Sequence, residues 1–444
     1  MADGESSTEL QAAHSSTVAW QSTEFRAFAA SRLLGTIGAE AQAVAVAWQV
    51  YQLTHSALAL GYTGLALFLP GMFFVLPAGH LADLADRRSV ILGCYTMQLL
   101  ATASLLLLTL HGIHNIWAVY GLLFLIGTGR AFAGPAQSSI LPSLVPKEHF
   151  LNAVTWGASI FQTANALGPM VGGLLFTLPL AKWFPKIGHL QGAPIVYCFT
   201  LCAFALFLVS MLRIHPREAA EKKGFTMGAA LDGLRYVVKT RLLLGSISLD
   251  LFAVLFGGAV SLLPIFAQDV LHGGAQALGL LRAMPSVGAL LVSLLLSLRP
   301  LKRRAGRTML MCVGGFATAT IVFGLSRSVW LSCAALFVTG ACDMVSVVVR
   351  QSILQLATPP EMRGRVSAVN WLFLGASNEL GEYESGVTAY WLGAVRAVVV
   401  GGVASLTVTG LWSVFFPALR HADELTPESL RAVEAQFATT EPMQ

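Results

Sequence analysis

The chain has 444 residues, of which 55% are hydrophobic and only 11% are charged, and its formal net charge is +5. This composition excludes a soluble globular protein of the ordinary kind. Twelve membrane-spanning helices of roughly 20 to 25 residues, joined by short loops, use almost the whole length, which leaves no room for a separate enzyme domain.

Charge and cysteine usage indicate the partners. We expect the positive charge to lie mainly in cytoplasmic loops, where it sets the topology and contacts anionic lipid, so the partner is the bilayer and not a nucleic acid. All six cysteines lie within apolar runs and show no metal-ligand spacing. No phosphate-binding loop of the Gly-x-x-x-x-Gly-Lys-Ser/Thr type is present. The sequence therefore predicts neither a metal nor any other cofactor.

Apolar runs divide the chain into two halves. Residues 1–22 are polar and lack a signal-peptide pattern, so we expect a disordered cytoplasmic tail. Residues 23–212 hold six predicted spans, at about 25–53, 57–78, 89–110, 116–138, 150–178 and 193–212. Residues 213–241 are charged and amphipathic, which predicts a linker on the inner membrane surface. Six more spans are predicted within 242–419, at about 242–270, 277–297, 308–325, 329–355, 364–391 and 394–418, before a polar cytoplasmic tail at 420–444.

The halves look like a diverged duplication. Residues 56–61 (Ser-Ala-Leu-Ala-Leu-Gly) and 274–279 (Gly-Ala-Gln-Ala-Leu-Gly) occupy equivalent places at an offset of 218 residues. The short loops on the predicted outer side hold only four basic residues, Lys182, Lys186, Arg327 and Arg396. Because basic residues resist translocation, both termini are predicted to be cytoplasmic.

A charged turn at residues 79–91 separates two runs without charge, 57–78 and 90–110. Its sequence resembles the loop between helices 2 and 3 of the major facilitator superfamily, through Gly79, Leu81, Ala82, Asp83, Arg87, Arg88 and Leu92. Leu84 and Asp86 depart from that pattern. The resemblance implies an all-α membrane protein with twelve transmembrane helices in two six-helix pseudo-symmetric halves, which bind substrate near the midplane.

The resemblance also implies a gating latch in this turn, made of Gly79, Asp83, Arg87 and Arg88. Asp83 would face the N-terminus of a helix in the other half, where the helix dipole favours an anion. The alternative is a solvated turn whose arginines only set the topology.

In the fifth predicted span, Gly168, Pro169, Gly172 and Gly173 resemble the Gly-Pro-x-x-Gly-Gly element of antiporters in this superfamily. Gly168 and Gly172 clear one helix face for a neighbouring backbone, and Pro169 bends the helix. A tight, dry contact between helices would resist proton leak. The alternative is that glycine and proline are simply common in membrane helices.

Charged residues inside predicted spans are costly and are therefore the candidates for proton coupling or for lining a cavity. The set comprises Glu40, Arg130, Asp250, Asp343, Glu379 and Glu382. Glu379 and Glu382 share one helix face, and we expect Glu40 to line the same cavity. Glu382 could instead lie at the outer water interface. Arg130 resembles a helix 4 arginine of proton-coupled members, although an ion pair with Asp83 is an equal alternative.

The stretch at 356–366, Leu-Ala-Thr-Pro-Pro-Glu-Met-Arg-Gly-Arg-Val, is similar to the enterobactin-exporter-like branch of the superfamily. We therefore expect a proton-coupled secondary exporter of a siderophore-like or drug-like small molecule, not an enzyme, acting by alternating access as a monomer in a bacterial inner membrane. An importer and a non-transporting membrane sensor on the same fold are the alternatives.

Overall fold

The computed structural model describes residues 18–84, 86–140, 144–146, 150–179, 191–214, 227–298, 301, 304–359 and 362–438, which form a succession of α-helices. The helices are α1 (Thr23–Thr54), α2 (Ala57–Leu84), α3 (Arg87–His111), α4 (Ile116–Ile140), α5 (Phe150–Thr177), α6 (Ala193–Arg213), α7 (Met227–Lys239), α8 (Arg241–Gly257), α9 (Gly274–Leu298), α10 (Ala305–Leu325), α11 (Val329–Ala357), α12 (Arg363–Leu392), α13 (Ala394–Phe415), α14 (Pro417–Arg420) and α15 (Pro427–Ala438). A 3₁₀ turn, a short helix and a π-helical turn continue α8 to Val270.

The predicted spans and the observed helices correspond one to one. Helices α1–α6 match the first six predicted spans, α7 lies in the linker, and α8–α13 match the remaining six. Within the described part of the chain, nine helices are long and apolar enough to cross a membrane. The other long helices there are α1, α5 and α12, and two of these, α1 and α12, carry acidic candidate residues. The chain is thus an all-α, multi-pass membrane protein.

The chain forms two compact units. The first contains residues 1–46 and 69–224, and the second contains 47–68 and 225–444. Aromatic and aliphatic side chains, among them Phe28, Ile91 and Phe207, form the core of the first unit. Leu243, Met309 and other aliphatic residues form the core of the second unit. The segment 47–68 therefore belongs to the first predicted half by sequence but to the second unit by contact.

The charged turn is shorter than the sequence predicts. Helix α2 continues to Leu84, so Gly79 and Asp83 are helical. Helix α3 begins at Arg87, so most of the predicted turn is helical.

The linker helix α7 packs on the second unit, and its predicted position on the inner membrane surface stays a prediction. Val237 is buried in the core of the second unit. The Tyr236 hydroxyl donates a hydrogen bond to the carbonyl of Ala357 at 3.2 Å. Asp232 pairs with Arg365 of α12 at 3.3 Å.

The C-terminal tail, predicted only to be polar, contains α15, which packs on the second unit. Leu430 is fully buried there. The Glu434 carboxylate accepts hydrogen bonds from the backbone amides of Arg241 at 2.7 Å and Leu242 at 3.0 Å. These amides begin α8, and the side chain of the N-cap residue Thr240 makes no capping hydrogen bond. Glu434 therefore satisfies amide groups that the helix itself leaves unpaired.

Candidate functional site

Asp86 caps α3 at the break after α2. One of its carboxylate oxygens accepts hydrogen bonds from the Ser89 backbone amide at 3.0 Å and from the Ser89 hydroxyl at 2.7 Å. These bonds hold the pKa of the exposed Asp86 carboxyl below its usual range. The residue that departs from the superfamily pattern therefore has a structural role as the N-cap of this helix.

Arg88 joins the start of α3 to the end of α6. Its guanidinium donates to the carbonyl oxygens of Met211, at 3.0 Å, and Leu212. These carbonyls belong to the last turn of α6, where helical carbonyls lack intrahelical partners and a cation is favoured. Arg87 is half-buried beside Arg88. The Asp83 side chain lies outside the described residues, so the latch and the pairing of Asp83 with Arg130 stay predictions.

Glycines of α5 lie directly on α1. A Cβ atom on Gly168 would come within 2.5 Å of the Glu40 Cβ, and one on Gly172 within 2.8 Å of the Ala41 backbone. Pro169 lies between them within the helix, and Gly173 is buried. The close approach that the sequence predicted is therefore present in the first unit. Its part in preventing proton leak stays a prediction.

Three helices of the first unit form a polar group around Tyr95. The Tyr95 hydroxyl oxygen accepts a hydrogen bond from the Gln137 amide at 3.0 Å. The Tyr95 ring stacks on Phe207 with a centroid distance of 3.9 Å. Both Arg32 and Arg130 interact electrostatically with Tyr95. Arg130 was predicted as a candidate, whereas the sequence did not indicate that Arg32 would lie close to the same tyrosine.

The second unit contains a buried charge cluster. An Arg350 nitrogen lies 3.1 Å from a carboxylate oxygen of Asp250, and both side chains are at most 4% exposed. Arg350 also donates to the Asn370 side-chain oxygen at 2.7 Å. Asp343, two turns before Arg350 on α11, interacts electrostatically with both Asp250 and Arg350. Helices α8 and α11 thus bring together two acidic candidates and an arginine, and α12 adds an asparagine.

Arg350 is the functional candidate that sequence reasoning missed. It lies within an apolar span, seven residues after Asp343, which is a signal that could have identified it. Two polar atoms on the same face of α11, the Arg350 Nε and the Ser346 hydroxyl, are buried and have no hydrogen-bond partner among the described residues. Buried polar groups of this kind are commonly satisfied by ordered water. The cluster therefore has the groups needed to hold and exchange a proton.

The three acidic candidates of α1 and α12 lie in different compact units. Glu40 belongs to the first unit, while Glu379 and Glu382 belong to the second. Glu382 packs on α2, where a Cβ on Gly64 would come within 2.6 Å of its carboxylate oxygen. Glu379 is half-buried. The common cavity for these three acids stays a prediction.

The same end of the second unit contains a contact between equivalent positions of the two repeats. The Tyr51 hydroxyl donates a short hydrogen bond to the Asp269 carboxylate, and 218 residues separate them, which is the offset of the sequence repeat. Asp269 lies in the π-helical turn after α8. Such turns are frequent at functional sites. A Cβ on Gly386 of α12 would come within 2.8 Å of the Gly61 Cα of α2.

The family model described as "Transmembrane secretion effector" matches residues 15–441 of this chain. The chain belongs to this family, which is part of the major facilitator superfamily. The enterobactin exporter EntS of Escherichia coli K12 is 26% identical over 416 residues, covering 91% of this chain and 94% of the relative. EntS of Citrobacter koseri is 27% identical over 394 residues, covering 87% and 88%.

Solved transporters share the fold of this secretion-effector family member. A bacterial homologue of the human lysosomal transporter Spinster, inward-facing and unoccupied, has a TM-score of 0.68 at 16% identity, covering 93% of this chain and 98% of that one. A bacterial homologue of the iron transporter ferroportin has a TM-score of 0.64 at 16% identity, covering 89% and 98%. The family match and the EntS relatives, together with this shared fold, show that the chain is a membrane transporter of the major facilitator fold.

Proposed function

We propose that the chain is a proton-coupled exporter of a siderophore-like or drug-like organic solute in a bacterial inner membrane. Its similarity to enterobactin exporters over 91% of its length supports the direction and the class of cargo. The contact of Gly168 and Gly172 with α1 supports the direction further, because antiporters of the superfamily carry a similar element. The chain works by alternating access, as a monomer with both termini in the cytoplasm.

The observation that carries the coupling proposal is the cluster of Asp250, Asp343 and Arg350. Two carboxylates and one guanidinium leave one negative charge uncompensated where Asp250 and Arg350 are buried and Asp343 is half-buried, which is costly in a low dielectric. A proton on Asp343 balances the charge while Asp250 keeps its ion pair with Arg350. Because the cluster joins α8 to α11 and, through Asn370, to α12, its protonation state biases how these helices pack.

The test uses everted membrane vesicles from cells that overproduce the chain. Outward transport in the cell becomes uptake into these vesicles, so enterobactin, the cargo named for the relatives, should accumulate when a pH gradient, acidic inside, is imposed. A protonophore should abolish the accumulation. Asp343→Asn should still bind and exchange the cargo but should no longer concentrate it.

The matched control is Asp232→Asn, which removes an exposed carboxylate from α7 and should accumulate cargo like the wild type. Accumulation that a protonophore leaves unchanged would exclude proton coupling. Gradient-driven accumulation only in right-side-out vesicles would establish import. Normal coupling in Asp343→Asn would exclude this carboxylate as the proton carrier.

A further inference from the structure

The polar group around Tyr95 in the first unit brings two positive charges together. Tyr95 is only 8% exposed, and its hydroxyl oxygen already accepts a hydrogen bond from Gln137. Its O–H proton is therefore available to another acceptor. Arg32 of α1 and Arg130 of α4 both interact electrostatically with Tyr95. Their helices contact its surroundings, since a Cβ on Gly35 of α1 would come within 3.7 Å of the Tyr95 ring and one on Gly129 of α4 within 3.1 Å of the Cys94 carbonyl oxygen. The group thus presents one O–H donor and two guanidinium groups.

The two arginines lie at matching depth. Arg32 follows the start of α1 by nine residues, or about 13 Å of helix, and Arg130 precedes the end of α4 by ten, or about 15 Å. Successive helices joined by short turns are antiparallel, so the start of α1 and the end of α4 lie at the same end of the unit. Both charges are therefore well inside the spans, where charged residues mark substrate or ion paths.

No described carboxylate compensates these charges. Away from the helix ends, the acidic residue of the first unit's described spans is Glu40. It lies eight residues, or about 12 Å, beyond Arg32 on α1 and packs against Gly168 of α5. Arg32 is half-buried and Arg130 is exposed. Because a guanidinium against lipid is costly, the exposed side of Arg130 faces water or a solute.

We propose that Arg32, Arg130 and Tyr95 form a binding site for the anionic group of an organic solute, a carboxylate or a phenolate. Guanidinium groups bind such oxygens through parallel hydrogen bonds, and the phenol adds a third donor. An anion bound by both arginines also compensates two positive charges that lie within the spans. Reading this anion as cargo rests on the proposed export function, whereas the site itself does not.

The experiment measures binding of three probes of nearly equal shape to the purified full-length protein in nanodiscs of phosphatidylcholine. The probes are 2-naphthoate, 2-naphthamide and 2-naphthamidine, which are anionic, neutral and cationic. Naphthoate should bind about tenfold more tightly than the other two, which matches the contribution of a hydrogen bond to a charged group. Arg32→Gln and Arg130→Gln should each weaken naphthoate about tenfold and should leave naphthamide unchanged.

The control is Arg26→Gln, which removes an exposed arginine bonded only locally to Thr23 at the start of α1 and should bind like the wild type. If Arg32→Gln does not fold, Tyr95→Phe tests the same site, because it removes one donor and keeps the ring stacked on Phe207. Equal affinity for all three probes, or wild-type affinity in both arginine variants, would overturn the proposal.

A second arm separates solute from lipid. Nanodiscs containing phosphatidylglycerol should leave naphthoate affinity unchanged if the site takes a solute, whereas competition would show that the anion is a lipid headgroup and would overturn the solute assignment. Because binding is measured without a pH gradient, failure of the anion-site proposal can be distinguished from failure of the export proposal in the vesicle test. If the protein binds naphthoate but transports nothing, the anion-site proposal stands and the export proposal is excluded.

Discussion

At the residue scale, two ion pairs among the described residues differ in character. Arg350 and Asp250 are almost fully buried, whereas Arg365 and Asp232 have side chains 42% and 51% exposed. A buried pair is costly to break because the remaining partner becomes an uncompensated buried charge. An exposed pair contributes little because water and salt screen it. We therefore expect Arg350 to be required for the stability of the second unit as well as for the proposed coupling.

We expect Arg350→Met to lower the free energy of unfolding by about 3 to 5 kcal/mol, since Asp250 and Asp343 would both lose their counter-ion. Arg365→Met, the matched control, should cost about 1 kcal/mol or less. Thermal or denaturant unfolding of both variants in the same detergent measures the difference. The double variant Arg350→Met, Asp250→Asn should recover part of the loss. Similar stability of the two single variants would show that the buried pair is not required.

At the element scale, helix ends are satisfied by residues that composition alone does not single out. Asp86 caps α3, Arg88 binds the last carbonyls of α6, and Glu434 caps α8 from the distant C-terminal helix. Each places a charge where the helix dipole favours it, anions at N-termini and the cation at a C-terminus. The charged loop thus has a structural role in the first unit whether or not it also acts as a gating latch.

The cap at Asp86 predicts a pH dependence. Its pKa is lowered in the folded protein by the hydrogen bonds from Ser89, so its contribution to stability is present above the unfolded pKa of about 4 and is lost as pH falls through the lower folded pKa. We expect Asp86→Ala to lose about 1 kcal/mol near pH 7 and to match the wild type at the acid end of that window. Unfolding of both proteins between pH 7 and pH 3 measures this.

Asp86→Ser, which keeps a capping oxygen, should retain most of the stability without the pH dependence. A pH-independent difference for Asp86→Ala would contradict the carboxylate cap.

At the scale of the whole molecule, the segment 47–68 is held by the second unit through small residues. The α2 backbone at Gly61 and the α12 backbone at Gly386 touch, and the Tyr51–Asp269 hydrogen bond joins the same segment to the second unit. Both groups of contacts can form only while the segment is packed there. In an alternating-access transporter, contacts of this kind must break when the other conformation forms. We therefore expect this segment to be a gate.

Gly386→Ala tests the gate, because the added Cβ would come within 2.8 Å of Gly61 and 3.0 Å of the Ala57 carbonyl oxygen. Hydrogen exchange of segment 47–68 should become faster in this variant, and the transport rate should fall. Gly375→Ala on the same helix has open space around the new atom and should leave both unchanged. Unchanged exchange in Gly386→Ala would show that the glycine contact does not hold the segment.

The sequence by itself determined the spans and the candidate charges. Apolar runs long enough to cross the bilayer predicted the helices to within a few residues, and Asp250 and Asp343 are conspicuous because charges are rare in such runs. Only the tertiary structure decided the partners. Which neighbour a side chain meets depends on how its helix is rotated about its axis and on which helix it packs against. Examples are the contacts of Asp250 with Arg350, Glu382 with Gly64, and Arg32 with Tyr95. That rotation follows from the fit of side chains across many helices, and hydrophobic spans that are apolar on all sides carry no periodic signal for it.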